Sequence, residues 1–287
     1  MPELPEVEMV RRQLTDKIIG KQIASVEVCD WKSVDHNRNF ATEVAGRKIV
    51  EIERVGKYLF LTLDQNNLYI AGHLKMTGRL IYQGMNDPIQ YGGGHALSKP
   101  QPEQPHKHTR IIFTFTDGSH LYFNDMRKFG YMKLATAAEV EDQKQALGPE
   151  PITDLYSKEY LDKLLADRKT SVKAALLKQS DIAGLGNIYV DEACWRAKIR
   201  PDRIAGNLTP KEIKHLYTAT RTVLEDAINF GGTTFRDYVD TNGEHGNFTD
   251  ELAVFGRQGE ACRRCEAIIE KTRVAGRGTH FCPGCQV

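Results

Sequence analysis

Tyr58-Leu59-Phe60-Leu61-Thr62-Leu63, then Asp64-Gln65-Asn66-Asn67, then Leu68-Tyr69-Ile70 reads as a strand, a turn and a second strand. Short apolar runs bounded by Asp and Asn turn residues are the pattern of an antiparallel hairpin. The pattern recurs on both sides. Ile23, Val26 and Val28 lead into one run, and Ile49-Val50-Glu51-Ile52 into another. Arg110-Ile111-Ile112-Phe113-Thr114-Phe115 and His120-Leu121-Tyr122-Phe123 flank the turn Asp117-Gly118. A series of short strands joined in this way predicts a β-sandwich or barrel. Cys29 falls in the first of these strands, where a small buried hydrophobe is expected.

Upstream of the strands the period is helical. Val7, Val10, Leu14 and Ile18 recur at helical spacing with Glu6, Glu8, Arg11 and Arg12 between them, which predicts a helix over 5–18. Residues 83–108 break the strand series with Gly92-Gly93-Gly94 and four prolines, so they are expected to form a long loop between two strands. For His95, His106 and His108 in that loop, loose spacing favours solvated side chains over metal ligands. After about residue 135 the chain turns helical, over Lys158–Ala166, Ser171–Lys178, Asn187–Ala197 and Pro210–Asn229. Thr209 is the expected N-cap of the last helix, Pro210 its first residue, and Gly231-Gly232 its stop. Cys194, on the third of these helices, is expected to be buried. No internal repeat is visible.

The 287 residues suit two domains plus a small module. The 39 Lys+Arg and 38 Asp+Glu leave a net charge of +1, which by itself announces neither a nucleic-acid nor a membrane partner. No apolar run is long enough to cross a bilayer, and the acidic start resembles no targeting segment, so a cytosolic protein is expected.

Of the six cysteines, four form two knuckles, Cys262-Arg-Arg-Cys265 and Cys282-Pro-Gly-Cys285. Two Cys-x-x-Cys pairs at this spacing suit one tetrahedral zinc ion, each knuckle giving two thiolates. Disulfides are disfavoured in a reducing compartment, and neither knuckle opens a helix as a redox pair would. With four protein ligands and no open position, the ion is expected to be structural. Residues 256–287 carry six Lys/Arg against three Asp/Glu, a local basicity that fits phosphate contact or a generic zinc ribbon.

At the other end, removal of Met1 would expose Pro2 as a secondary amine. An α-amino group titrates near 7.7–8.0 against about 10.4 for lysine, so its free base is roughly a hundredfold or more the richer at neutral pH. Such an amine condenses with a carbon at the aldehyde level to an iminium ion, an electron sink for elimination. Glu3 and Glu6 lie beside it for acid and base work. Taken alone, the stretch is better read as a well-charged helix start.

Three motifs in order resolve that ambiguity. Pro2-Glu-Leu-Pro-Glu-Val-Glu8, the run Gly184-Leu-Gly-Asn-Ile-Tyr-Val-Asp-Glu192 and the two-knuckle finger together resemble the formamidopyrimidine-DNA glycosylases. The similarity covers nearly the whole chain except about 83–108. It implies an α+β protein in three parts. Residues 1–135 would be a catalytic domain, an N-terminal helix plus a two-layer antiparallel β-sandwich with 83–108 inserted. Residues 136–250 would be a helix-two-turns-helix DNA-binding domain, with a lesion-capping loop at 231–248. Residues 251–287 would be a β-hairpin zinc finger, and DNA would lie in the cleft. The activity implied is removal of oxidised purines from DNA, such as 8-oxoguanine and formamidopyrimidines, followed by β,δ-elimination at the abasic site.

The resemblance also implies roles. Pro2 is the nucleophile at C1′, Glu3 the proton donor and acceptor at the sugar, and Glu6 a member of the surrounding hydrogen-bond network. Lys57 contacts phosphates near the lesion and acts in elimination. Met76, Arg127 and Phe129 form the wedge that fills the gap left by the flipped nucleotide, types that suit stacking and bonding of the orphaned base. Asn187 grips a phosphate at a helix start, Arg277 bonds phosphates flanking the flipped base, and His73 and Lys173 are further backbone contacts. Glu244-His245 replaces a Lys-Pro pair common in the capping loop, which bears on fine base preference. Two other readings stand against this one. The sister group acting on oxidised pyrimidines usually begins Pro-Glu-Gly-Pro, unlike Leu4 here. A non-catalytic zinc-ribbon DNA-binding protein would have no need of Pro2, Glu3, Glu6 and Lys57 together. The expected partner is damaged double-stranded DNA, with one structural Zn2+, no membrane, a monomeric state and a bacterial cytosolic location.

Overall fold

The hairpin at 58–70 lies at the middle of a four-stranded sheet. In the computed structural model, which describes residues 1–65, 67–85, 90–91, 103–232 and 248–287, the chain forms two compact units. They are Met1–Gln145 with Gly231–Asn247, and Ala146–Phe230 with Phe248–Val287.

The first unit opens with α1 (Leu4–Ile18), followed by β1 (Ile23–Val28), a 3-10 turn at Trp31–Val34 and α2 (Phe40–Val44). Then come β2 (Ile49–Val55), β3 (Tyr58–Leu63), β4 (Leu68–His73), β5 (Gly78–Gln83) and β6 (Gln90–Tyr91). The unit continues through β7 (Thr109–Phe115), β8 (His120–Asp125), β9 (Tyr131–Thr136) and α3 (Ala137–Gln145). The strands make two antiparallel sheets in the orders β1-β7-β8-β5-β6 and β2-β3-β4-β9. Neither sheet closes on itself, so the sandwich, and not the barrel, is what forms.

Its core takes side chains from both sheets and from α1. Leu59, Leu61, Leu63, Ile70 and Met132 of one sheet pack with Leu80, Ile111, Phe113 and Phe123 of the other, and with Val7, Val10, Leu14 and Ile18 of the helix. Each fully buried aliphatic side chain contributes about 1.5–3 kcal/mol. The strand β3 reads as a continuous apolar run because both of its faces are covered. Phe60 points away from the main core and packs with Ala71, Ala135 and Val140, the last of these on α3.

The helix α1 begins one residue earlier than its period predicts, because Glu3 and Glu6 form a capping box around its start. Two other expectations change. Cys29 lies one residue past β1 and is exposed, because it continues the outward face of that strand, where Glu27 is exposed too, its Sγ donating to Glu27 Oε1 at 3.7 Å. The 83–108 insertion holds the short edge strand β6, paired to β5 through Tyr82 and Gln83. At its end His106 is built in, its Nδ1 accepting the His108 amide at 3.0 Å and its Nε2 lying 3.3 Å from Asn124 Nδ2. His95 lies outside the described residues.

The second unit holds α4 (Lys158–Leu165), α5 (Val172–Leu176), α6 (Asn187–Ala197), α7 (Pro210–Asn229) and α8 (Phe248–Glu251), then the hairpin β10 (Glu270–Val274) and β11 (Arg277–Phe281). The expected cap of α7 is present. Thr209 and Glu212 form a capping box with Pro210 in the first turn, the Thr209 amide donating to Glu212 at 2.8 Å. Gly231 and Gly232 both take positive φ beyond its end. No helix among the described residues is long and apolar enough to cross a membrane.

Candidate active site

At the head of α1 the capping box does more than start the helix. Pro2, Glu3 and Glu6 are all buried, and the Glu3 amide donates to Glu6 Oε2 at 2.8 Å. Glu6 therefore holds the backbone that carries Pro2 and Glu3. Gly232, at φ +87°, lies close against the same carboxylate: a Cβ there would stand 3.1 Å from Glu6 Oε1. Only a glycine meets both conditions. Of the expected capping loop, residues 233–247 lie outside the described residues.

Lys57 is buried, at 5% exposure, in the two-residue turn Gly56-Lys57 that joins β2 to β3. Gly56, at φ 59°, supplies the conformation that a tight hairpin of the right twist needs at its first turn position. A residue with no assigned role ties this turn to α1. Arg54 donates from Nε to Glu8 at 3.0 Å and from Nη1 to the Gly56 carbonyl at 3.1 Å. Glu8 also accepts from Arg11 at 2.8 Å and from Arg12 at 2.8 Å. Burial would push the Glu8 carboxyl up, but hydrogen bonds from Arg11, Arg12 and Arg54 outweigh it and hold the group at about 2. One ionised carboxylate thus joins the helix of the expected nucleophile to the turn of the expected lysine. The partnership of Glu8 with Arg54 spans 46 residues, and no periodicity announces it.

His73 ends β4 at 7% exposure, edge-on to the Tyr58 ring at 4.6 Å. Burial, then the charges of Lys75 and Lys57, push it down to about 3, so the ring is neutral at physiological pH. Its Nδ1 accepts the Lys75 amide at 2.9 Å, which places the ring proton on Nε2. Beyond it the chain turns through Leu74–Gly78, closed by the Gly78 amide on the Leu74 carbonyl at 2.8 Å. Met76 projects from that turn at 38% exposure. Phe129 projects from a second turn, Asp125–Gly130, at 49% exposure, with the exposed Arg127 guanidinium 4.8 Å from its ring centre. Two apolar side chains that a core would bury are instead held outward, with a guanidinium beside one of them.

In the second unit Asn187 is the first residue of α6, after Gly186, and its Nδ2 donates to the Gly278 carbonyl at 3.0 Å. The neighbouring Arg277 is exposed at the tip of the β10–β11 hairpin, whose turn Ala275-Gly276 has positive φ at both positions. Lys173, expected as a DNA-backbone contact, is buried in the second unit. Its side chain has 0% exposure, its ammonium lies 2.6 Å from the equally buried Asp191, and it also reaches the Gly278 carbonyl at 3.2 Å. It fastens the Arg277 hairpin to α5 and α6. Asp191 adds to the fastening by accepting the His280 amide at 2.8 Å. Glu192, next in sequence, accepts the amides of Ala253, Val254 and Phe255 at 2.9, 2.9 and 2.8 Å, which pins the approach to the finger. Cys194 is fully buried as expected, and burial pushes its thiol far up.

The four finger sulfurs lie within 4.8 Å of one another and are the one grouping of potential metal ligands among the described residues. Cys265 and Cys282 are 3.3 Å apart, and Cys262 and Cys285 3.9 Å. Those separations are far beyond a disulfide bond and near the edge of a tetrahedron with bonds of about 2.3 Å to zinc. Donors around the sulfurs favour the thiolate form that binds a metal. Trp195 Nε1 and the Arg264 amide each donate to Cys262 Sγ at 3.4 Å. Burial pushes that thiol up, and these donors outweigh it and hold it at about 6.

Comparison with known proteins adds three family matches. The formamidopyrimidine-DNA glycosylase N-terminal domain matches residues 1–132, the H2TH domain of the same glycosylases residues 147–239, and a zinc finger found in FPG and IleRS residues 259–287. The formamidopyrimidine-DNA glycosylase of Desulfitobacterium hafniense is 44% identical over 291 residues, covering 100% of both chains. That of Geobacillus kaustophilus is 43% identical over 291 residues, again covering 100% of both. Among solved structures, Lactococcus lactis Fpg in complex with abasic-site DNA superposes with a TM-score of 0.86 at 35% identity, over 99% of each chain. MutM in complex with DNA containing carbocyclic 8-oxo-G superposes with a TM-score of 0.83 at 35% identity, over 100% of each.

Proposed function

The chain belongs to the formamidopyrimidine-DNA glycosylase family, and from that premise we propose how its residues share the work. It is a base-excision-repair DNA glycosylase and AP lyase acting on oxidised purines, its partner is DNA, and one structural zinc ion belongs to its finger.

Pro2, once Met1 is removed, attacks C1′ of the damaged nucleotide. The C1′–base bond breaks, and Glu3 delivers and recovers the protons that the opening sugar exchanges. The iminium then accepts the electron pair released when the C2′ proton is lost, and the 3′ phosphate departs. A second elimination releases the 5′ phosphate. Lys57 holds the phosphates beside the lesion during these steps, and Glu6 keeps Pro2 and Glu3 in register. The observation that carries this reading is the head of α1. There two buried carboxyls and Pro2 are ordered by one capping box, and Arg54 and Glu8 tie that helix to the turn of Lys57.

Met76, Arg127 and Phe129 fill the stack after eversion. Asn187 and Arg277 hold phosphates, and His73 offers its Nε2–H to the backbone. Zinc supplies the folding energy of a hairpin too small for a core, and Cys262, Cys265, Cys282 and Cys285 would hold it. We read 1–135 as the catalytic part, 136–250 as the helical DNA-binding part with the capping loop 231–248, and 251–287 as the finger. We further infer a monomer working on chromosomal DNA in a bacterial cytosol, without a membrane partner.

Borohydride reduction tests the reading. The purified protein, its N-terminus established by intact mass, is mixed with duplexes carrying 8-oxoguanine, oxidised thymine or an abasic site. Covalent trapping on 8-oxoguanine and the abasic site is expected. Trapping only on oxidised thymine among the damaged bases would favour the sister group. Trapping on none, or full activity with Met1 still attached, would overturn the Pro2 mechanism.

A further inference from the structure

We propose that Asp125 is the positioning residue of the wedge, setting how readily a lesion is everted without itself touching DNA. The inference rests on the wedge reading of Met76, Arg127 and Phe129.

Asp125 ends β8 with 0% exposure, opposite Gly78 at the start of β5. Its backbone is held on both sides. The amide donates to the His108 carbonyl at 2.9 Å, and its own carbonyl accepts Arg110 Nε at 2.8 Å. Its carboxylate then collects the two wedge turns. Oδ2 accepts the amides of Phe129 at 2.8 Å and Gly130 at 2.7 Å. Oδ1 accepts the Arg127 amide at 3.1 Å and the hydroxyl of Thr77. That hydroxyl in turn accepts the Arg127 amide at 3.0 Å. Thr77 is the residue after Met76, so a single carboxylate fastens the turn bearing Met76 to the turn bearing Arg127 and Phe129.

The chemistry is specific to aspartate. An ionised carboxylate offers acceptor sites on two oxygens and no donor, which matches four donors arriving from two directions. Asparagine at the same place would turn an NH2 toward amide donors and leave some of them without an acceptor. Glutamate would push the turns apart. The close approach behind the second turn is equally strict: a Cβ on Gly130 would stand 3.1 Å from the carbonyl oxygens of both His73 and Leu74. A wedge must replace base stacking at the moment the nucleotide leaves, and side chains already held outward lose little freedom in doing so.

The test uses the full chain. Asp125→Asn is compared with the parent by single-turnover borohydride trapping on a duplex with 8-oxoguanine paired to cytosine and on a preformed abasic site. A base-analogue fluorescence signal beside the lesion reports eversion directly. The expected result is a roughly ten- to hundredfold slower trapping on the paired lesion, the size of one or two charge-assisted hydrogen bonds, with matching loss of the eversion signal. Trapping on the abasic site, which has no base to evert, is expected to fall far less. Equal losses on both substrates would mean a merely structural role and overturn the proposal, as would no loss on either. Thr77→Val removes a single donor, is expected to show the same selective loss in milder form, and carries the test if Asp125→Asn fails to fold. Met76→Ala and Phe129→Ala separate the two layers of reasoning. If they slow the paired lesion while Asp125→Asn does not, Asp125 is not the positioning residue. If neither slows it, the wedge reading itself falls.

Discussion

Replacing Lys173 by methionine is expected to destabilise the second unit by about 3–5 kcal/mol, the usual cost of leaving a buried charge without its partner. The side chains of Lys173 and Asp191 both have 0% exposure and meet at 2.6 Å. Methionine keeps the unbranched stem, so packing changes little and the loss is electrostatic. Asp191 would keep the His280 amide at 2.8 Å, with that residue's Nδ1 3.5 Å away, and the Gly278 carbonyl would keep Asn187 at 3.0 Å, but the cation would be gone. In urea, with a slope of about 1–3 kcal/mol per molar, the midpoint of this unit is expected to fall by roughly 1–5 M. Changing Asp191→Asn in the same chain removes the stranded charge while keeping an acceptor for His280. The pair is therefore expected to recover much of the loss, a coupling that a double-mutant cycle reads directly. DNA affinity supplies the refutation. If Lys173→Met leaves the midpoint unchanged and lowers the salt slope of binding by about one unit, the lysine lies on a phosphate and the buried fastening is wrong.

Acid stability carries a signature of His73 and Glu8. His73 is held neutral down to about 3, below its ordinary value of 6.5, so the unfolded chain binds its proton first. Stability of the first unit is then complete above pH 6.5 and falls by about 1.4 kcal/mol per pH unit below it. Glu8, held at about 2 against an ordinary 4.5, adds a second loss only below pH 4.5. Chemical denaturation at stepped pH with His73→Gln is expected to flatten the curve between 6.5 and 4.5, and an unchanged curve would contradict the neutral buried ring. Arg54→Met releases the Gly56-Lys57 turn from α1, and trapping is expected to slow by roughly tenfold while affinity for a non-cleavable abasic analogue holds; equal loss of both would make Arg54 a fold residue alone. Removing zinc with a chelator and a thiol reagent is expected to release one ion per chain and abolish DNA binding, with the β-sandwich still folded by circular dichroism. Metal analysis giving no zinc, or binding that survives its removal, would contradict the structural role of the finger.

Several features of this protein are local and therefore legible in one dimension. The 58–70 hairpin, the box of Thr209 with Glu212, and the four thiolates of the finger depend on residues a few positions apart, or on two short knuckles bound to one ion. The family motifs are likewise short runs, so the candidate residues at Pro2, Glu3, Lys57 and Asn187 stand out in the chain itself. Burial is different, because it depends on what distant chain lies over a side chain. Lys173 is expected to meet DNA and is buried against Asp191 of α6 and the finger hairpin. Cys29 looks like a buried strand residue and is exposed because nothing among the described residues packs on the face it shares with Glu27. Arg54 finds Glu8 across 46 residues, and Asp125 finds Thr77 across 48. Sequence alone determined α1, β1 to β4, β7, β8, the helices α4 to α7 and which chemistry the chain carries, but not β5, β9, α2 or α3. Only the tertiary structure decided which charges are buried and which side chains hold the reactive ones in place, since a hydrogen bond between distant residues leaves no period in the chain.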